Sequence, residues 1–414
     1  VEEYIGVQGR YEGLPQFPDG KFLKPFDLNI LEQHMRESIS NNFNDGRILS
    51  NARTAHITEG TKPGLGRVTC QYRNRCIRGC PYGAYFSSNS STLPAAESTG
   101  NMTLMPNSIV HEIIYDEDKK RATGVRVIDS VNNQSYEYYA KVIFLCSSTV
   151  GSTSILMQSK SNRFPDGMGN DSGELGHNIM DHHFQVGASG TFKGFKNKTT
   201  YGRKPAGFYI PRFRNIGGIT DRKDYIRGYQ YQGGANRGFM SISDSAEELI
   251  SYGPRFKENI VKRDEWTASM NGFGEILPYH DNKMSLNYEI KDKWGLPTVT
   301  FDAKIRENEI TMRKDMKIQA EEMLERAGFE DVSGYESKYI FGNGIHEMGT
   351  ARMGRDPKTS VLNGNNQIHE VKNVYVTDGS CMTSAGNQNP SITYMALTAR
   401  AVSHAVEELK KINI

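Results

Sequence analysis

Apolar positions along this chain recur in two distinct rhythms, and each rhythm predicts its own kind of element. Residues 101–146 alternate between apolar and polar positions, broken by DEDKK and VNN turns, and they predict a β-meander. The meander ends in the continuous apolar run Val142 to Cys146, the pattern of a strand buried on both faces. That run leads into SSTVGSTSILMQSK, so a strand–turn–helix unit is expected there, with a turn and helix N-terminus suited to a phosphate or a cofactor edge. Gly187 to Asp302 is again strand-like and rich in aromatics (FYIPRFRNI, YIRGYQYQGG, ASMNGFGEILP, MSLNYEI), which predicts a mostly antiparallel sheet. One face of that sheet, with Trp266 and Trp294, would suit a sugar ring, although aromatic residues on strands commonly serve as core.

Helical spacing marks three other segments. Leu31, His34, Met35 and Ile39 predict a helix over Asn29 to Asn41. Ile310, Met316, Ala320, Met323 and Leu324 predict a long helix from Ile305 to Ala327, stopped by Gly328. After Asn389-Pro390, the positions Ile392, Met395, Ala399, Val402 and Val406 predict a C-terminal helix capped by the asparagine. The N-terminus of that helix would favour negative charge placed beside it.

Composition narrows the function classes. A chain of 414 residues can hold two sizeable cores. A net charge of +2, with no Lys/Arg block interleaved with aromatics, gives no reason to expect nucleic acid. No stretch approaches the roughly 18 apolar residues that a membrane-spanning helix needs, and no signal-peptide pattern is visible. The opening VEEYIGVQGRYEG reads as mid-domain text, so an upstream part is expected. Five cysteines exclude a fully paired disulfide framework.

Three groups of residues carry candidate chemistry. His346 lies among Gly342, Gly344 and Gly349 in FGNGIHEMGTARMG and could act as a general base, while Asn389 precedes Pro390 in AGNQNPSIT. A structural histidine and a simple capping asparagine are the alternatives. His177, His182 and His183 in GELGHNIMDHHF could bind a metal, but no carboxylate stands at a familiar ligand spacing, and packing or loop-anchoring roles are the favoured reading. Cys70, Cys76 and Cys80, spaced C-x5-C-x3-C and followed by Pro81, lack the fourth ligand of a structural zinc site. Three thiolates suit an iron–sulfur cluster, with buried or paired thiols as the alternative.

The run GIHEMGTARMG followed by NVYVTDGSCMTSAGNQNPSITYMALTARAVSHAVEEL closely resembles the C-terminal block of the glucose–methanol–choline (GMC) flavoprotein oxidoreductases. VIFLCSSTVGSTSILMQS and GELGHNIMDHH are similar to further segments of that family, and the likeness runs from about residue 67 to 410. The resemblance implies FAD as hydride acceptor, His346 as catalytic base and Asn389 as its partner. It also implies cofactor contacts at Val110 (adenine), at Cys146 and Ser147 (dinucleotide), and at Asp378 and Gly379 (pyrophosphate and ribityl chain). Pro390, Ser391 and Thr393 would lie against the isoalloxazine. CQYRNRCIRGCPYGA is similar to the cysteine segment of membrane-linked FAD sugar dehydrogenases, which implies a [3Fe–4S] cluster on Cys70, Cys76 and Cys80. The family's N-terminal GxGxxG unit has no counterpart in these residues.

The expected fold is therefore α/β (α+β): an incomplete FAD-binding Rossmann-like domain with a mostly antiparallel substrate domain. The expected division is 1–180 and 336–414 for the FAD-binding parts and 181–335 for the substrate domain. The expected function is FAD-dependent oxidation of a secondary alcohol of a sugar or glycoside, C3 being one candidate position, with electrons passing through the cluster to a cytochrome. An oxygen-using sugar oxidase and a non-catalytic carbohydrate-binding remnant are the rivals. By resemblance the location is periplasmic, with a small export or chaperone subunit as partner; a cytoplasmic site is the alternative.

Overall fold

The computed structural model describes residues 1–200, 207–237, 253–260 and 263–414, so parts of the aromatic strand region lie outside the described residues. The chain forms two compact units, one of residues 1–102, 184–274 and 307–339, the other of residues 103–183, 275–306 and 340–414. This division differs from the one expected, because residues 1–102 build onto the sheet of the first unit. Ser50–Asn51 forms the edge strand of that sheet, and Leu31, Met35 and Ile39 enter its core.

The sheet of the first unit has six strands, in the order Glu330–Glu336, His182–Phe192, Trp266–Glu275, Tyr229–Asn236, Phe208–Ile210, Ser50–Asn51. Trp266–Glu275 pairs antiparallel with Tyr229–Asn236, and its burial alternates along most of its length, as a strand with one covered face requires. The helices Ile30–Asn42 and Glu307–Arg326 share the core with the sheet. Asn29 caps the first of them, accepting from the amides of Leu31 and Glu32 while Glu32 accepts from Asn29 N in return, a full capping box. On the second, the buried stripe runs through Met312, Met316, Ala320, Met323 and Leu324, and Ile310 is 36% exposed rather than part of it. Trp266 is core, 1% exposed, with Nε1 donating to Phe195 O. Trp294 belongs to the other unit, in the turn between Lys283–Lys291 and Pro297–Asp302. The two tryptophans therefore belong to different units.

The second unit contains the expected meander, Ser108–Asp116, Arg121–Asp129 and Ser135–Tyr139, paired antiparallel in sequence order. Ile143–Leu145 then pairs in parallel with Val374–Val376, and the helix Ser148–Gln158 follows it. The C-terminal helix spans Ser391–Lys410. Its buried positions are Ala401 and Ala405, packed beside Tyr375, while Val402 and Val406 are both 43% exposed. Of the apolar stripe expected there, Ala399, Val402 and Val406 are thus exposed, while Ile392 and Met395 are half-buried. Among the described residues no helix is long and apolar enough to cross a membrane.

One buried charge organises the first unit. Asp315 accepts from the hydroxyls of Tyr225 and Tyr229, both at 2.6 Å, and from Arg214 Nε at 3.0 Å. Burial pushes its carboxyl up, but the Arg214 and tyrosine hydrogen bonds outweigh this and hold it below the usual carboxylate range. Removing one partner of a buried pair strands the other, so Asp315→Ala is expected to cost about 3–5 kcal/mol in denaturant unfolding. Asp281→Ala, which removes an exposed partner of Arg306, should leave the unfolding midpoint where it was.

Candidate active site

The site lies in the second unit and begins with a backbone register. Met180 and Met348 form an antiparallel bridge, each amide donating to the other's carbonyl, at 2.8 and 2.9 Å. Two residues further along each strand, that register sets His182 opposite His346. Their rings lie edge to face with centroids 4.9 Å apart, and the two Nδ1 atoms are 3.0 Å apart.

Asp181 fixes the loop that carries His346. Its carboxylate is fully buried and accepts four backbone amides: His182 at 2.7 Å and His346 at 3.0 Å on Oδ1, Gly344 at 2.9 Å and Gly342 at 3.1 Å on Oδ2. Gly344 is required, since a Cβ there would lie 1.9 Å from His182 O and 2.3 Å from Asp181 Oδ1. Ile345, the residue before His346, has φ +54°, a left-handed conformation that a β-branched residue rarely adopts. The loop is therefore held by its partners against its own backbone preference.

Asn389 reaches His346 from the other side. Its Nδ2 donates to His346 Nε2 at 3.3 Å, so the two residues singled out in the sequence do meet. The capping role expected of Asn389 is absent: the helix starts at Ser391, its N-cap is Pro390, and no side chain caps it. Pro390 cannot supply an amide, and the Asn389 amide group is turned to the imidazole instead. Burial lowers the His346 pKa below the ordinary histidine value, an effect only partly opposed by the Asp181 charge, so the ring is neutral at neutral pH.

Four of the expected cofactor positions, Cys146, Ser147, Asp378 and Gly379, form a second cluster. Cys146 and Ser147 lie exposed at the carboxyl end of Ile143–Leu145, and Thr377, Asp378 and Gly379 follow the carboxyl end of its parallel partner. Cys146 Sγ lies 3.3 Å from Thr377 Oγ1, and Thr398 Oγ1 donates to the same hydroxyl at 2.9 Å. Asp378 accepts from Ser152 Oγ and from the amide and hydroxyl of Ser380. Gly379 passes so close to the neighbouring chain that a Cβ would lie 2.4 Å from both Glu347 O and Thr149 Oγ1. Val110 sits at a β-bulge in the meander, where the ladder leaves backbone groups for other partners.

Two observations fit a bound dinucleotide. The carboxyl ends of parallel strands in α/β sheets open onto ligand crevices, and the helices starting at Ser148 and Ser391 both lack side-chain caps, leaving amides for an anion. In addition, the Tyr394 hydroxyl, in the first turn of the C-terminal helix, is buried with no hydrogen-bond partner among the described residues. Ser391 and Thr393 lie in that same turn.

The remaining candidates separate. His177 stacks on His280 at 4.2 Å and its Nδ1 bonds His280 O, whereas His183 is buried beside His182 in the chain, so these histidines do not converge on a metal. Cys70, Cys76 and Cys80 are free and half-buried in the first unit, in a loop framed by the Arg67 guanidinium, which donates to the carbonyls of Gly83 and Ile5. Burial pushes the Cys70 and Cys76 thiols up, and the neighbouring thiols add to the shift. Cys76 Sγ lies 3.6 Å from His56 Nε2. Among the described residues no group of three or more His, Cys, Asp or Glu side chains is placed to hold a metal ion, so the thiols as arranged do not fit a cluster.

Sequence reasoning singles out His346 and Asn389, which meet in the structure, but not Asp181, and it reads His182 as a packing or metal residue. The MDHH run did mark the place. What the sequence could not show was the antiparallel bridge that brings it to GIHEM.

The chain is similar to known proteins over much of its length. Models of the N- and C-terminal parts of the GMC oxidoreductases match residues 46–184 and 278–398. The chain is 27% identical over 351 residues to 2-methyl-1,2-propanediol dehydrogenase of Mycolicibacterium austroafricanum, covering 82% of this chain and 61% of the relative. It is 26% identical to the fructose dehydrogenase large subunit of Gluconobacter japonicus, covering 85% and 62%. Among solved structures, pyridoxine 4-oxidase from Mesorbium loti shares the fold, with a TM-score of 0.55 at 14% identity, covering 96% of this chain and 71% of that one. The chain spans about three fifths of the length of the curated relatives it matches. With both family models matched over more than half of its residues, the chain belongs to the GMC oxidoreductase family.

Proposed function

We propose that this chain carries the catalytic half of an FAD-dependent enzyme that oxidises a secondary alcohol of a sugar or glycoside to a ketone. The observation that carries the reading is the His346–Asn389 contact at the mouth of the Ser391 helix, in a chain of GMC type. Bound FAD would supply the hydride acceptor. The residues suited to hold it are Val110, Cys146, Ser147, Asp378, Gly379, Pro390, Ser391 and Thr393. His346 Nε2 takes the hydroxyl proton, and Asn389 Nδ2 donates to the same oxygen and holds it in line. Substrate thus loses one proton to the imidazole and one hydride from the carbinol carbon. Likeness to a fructose dehydrogenase large subunit supports a sugar-like substrate and a partner subunit.

A second reading adds a [3Fe–4S] cluster and an external acceptor such as a cytochrome, in a periplasmic enzyme; without it, an oxidase using oxygen is the simpler form. The observation favouring the cluster is that three free, half-buried cysteines lie in one short loop. Because the thiols as arranged are not a ligand set, no electron-transfer step is assigned to them. A non-catalytic carbohydrate-binding remnant would bind sugar and take up no flavin.

Three outcomes test these readings. In FAD-loaded protein, His346→Ala should slow anaerobic flavin reduction by roughly 10²–10⁴; an unchanged rate would remove the base assignment. The reduction rate should be flat at neutral and alkaline pH and fall as pH drops through a pKa below 6.5, since the lowered pKa keeps His346 in its base form above that point. On the cluster reading, protein purified without oxygen contains about three iron atoms per chain and a paramagnetic signal that Cys76→Ser abolishes, and iron-free protein rejects it.

A further inference from the structure

We infer that His182 is a positioning residue that sets the tautomer of His346, so that His346 presents an unprotonated Nε2 toward Asn389 and the substrate. The inference rests on the functional reading above, and it follows from which atoms can donate. His182 Nε2 lies 3.1 Å from Gly386 O. A carbonyl oxygen only accepts, so His182 Nε2 carries the hydrogen. In a neutral imidazole the other nitrogen is then a lone pair, and His182 Nδ1 is an acceptor. His346 Nδ1 lies 3.0 Å from it, and this contact needs one donor, so His346 Nδ1 carries a hydrogen. Its Nε2 is therefore the lone pair, and Asn389 Nδ2, a donor, points at it from 3.3 Å. Four groups from three separate segments of the chain agree on one proton arrangement.

The arrangement requires His182 to stay neutral. Its side chain is fully buried, and burial together with the neighbouring His346 brings its pKa down to about 3. The Asp181 carboxylate, which accepts the amides of both His182 and His346, keeps the two rings in register. When His346 Nε2 takes the substrate proton, the ring becomes an imidazolium whose Nδ1–H still donates to His182. No second proton has to move.

Histidine side-chain ¹⁵N NMR of the full chain tests this without any turnover, with the two rings assigned by His346→Ala and His182→Leu. The expected result is a protonated Nδ1 and bare Nε2 on His346, and the reverse on His182. In His182→Leu the His346 signals should move toward a mixture of tautomers. His182→Asn places an amide oxygen near the lost Nδ1 and should restore the wild-type pattern. In FAD-loaded protein, flavin reduction should fall by about tenfold or more in His182→Leu and recover in His182→Asn. A bare Nδ1 on His346 in the wild type, or a His346 tautomer indifferent to His182→Leu, overturns the inference. If the NMR pattern holds but His346→Ala leaves flavin reduction unchanged, the functional reading fails and the tautomer assignment stands.

Discussion

A carboxylate with no access to water has to find donors inside the protein, and Asp181 accepts four backbone amides. Two belong to its own strand and to His346, and two to the glycine-rich turn before it. The charge is what makes the arrangement tolerable. A neutral amide in the same place would turn two of its own hydrogens toward donors. Because the same oxygen accepts from His182 and His346, any movement of one histidine is resisted by the other. The left-handed Ile345 and the crowded Gly344 persist on that account, and the proton order along Gly386, His182, His346 and Asn389 depends on it in turn.

Much of the fold was legible as periodicity. The meander, the buried strand of Ile143–Leu145 and all three helices lie where alternation or helical spacing put them. The errors concern which face is covered. Ile310, Val402 and Val406 fit their stripes as well as any core residue, yet they are exposed, because a stripe states where apolar residues are and not which neighbour arrives. The tryptophans illustrate the same limit: the sequence shows two aromatic rings and cannot show that one is core and the other sits in a hairpin turn of a different unit.

The site was legible to a different degree. Asn389-Pro390 was correctly recognised as a helix start, but its side chain bonds an imidazole rather than the helix amides. Asp181 and His182 were hidden because their role depends on a pairing 164 residues long in sequence. Spacing rules describe residues on one element, and here the decisive neighbours lie on different ones. The cysteine segment shows the converse: a suggestive local spacing that the fold does not gather into a ligand set.

The Met180–Met348 bridge also has a consequence in time. Ribosomes deliver His182 long before His346, Gly386 and Asn389, and the bridge can close only once the chain has been made past Met348. Contacts of such high sequence separation form slowly, since loop-closure entropy is lost before they return any stabilisation. The buried Asp181 charge gains the amides of Gly342, Gly344 and His346 only in that step. The nascent chain can therefore form local helices and hairpins early, while its base remains unassembled until the segments carrying His346 and Asn389 have been made and have reached Asp181 and His182.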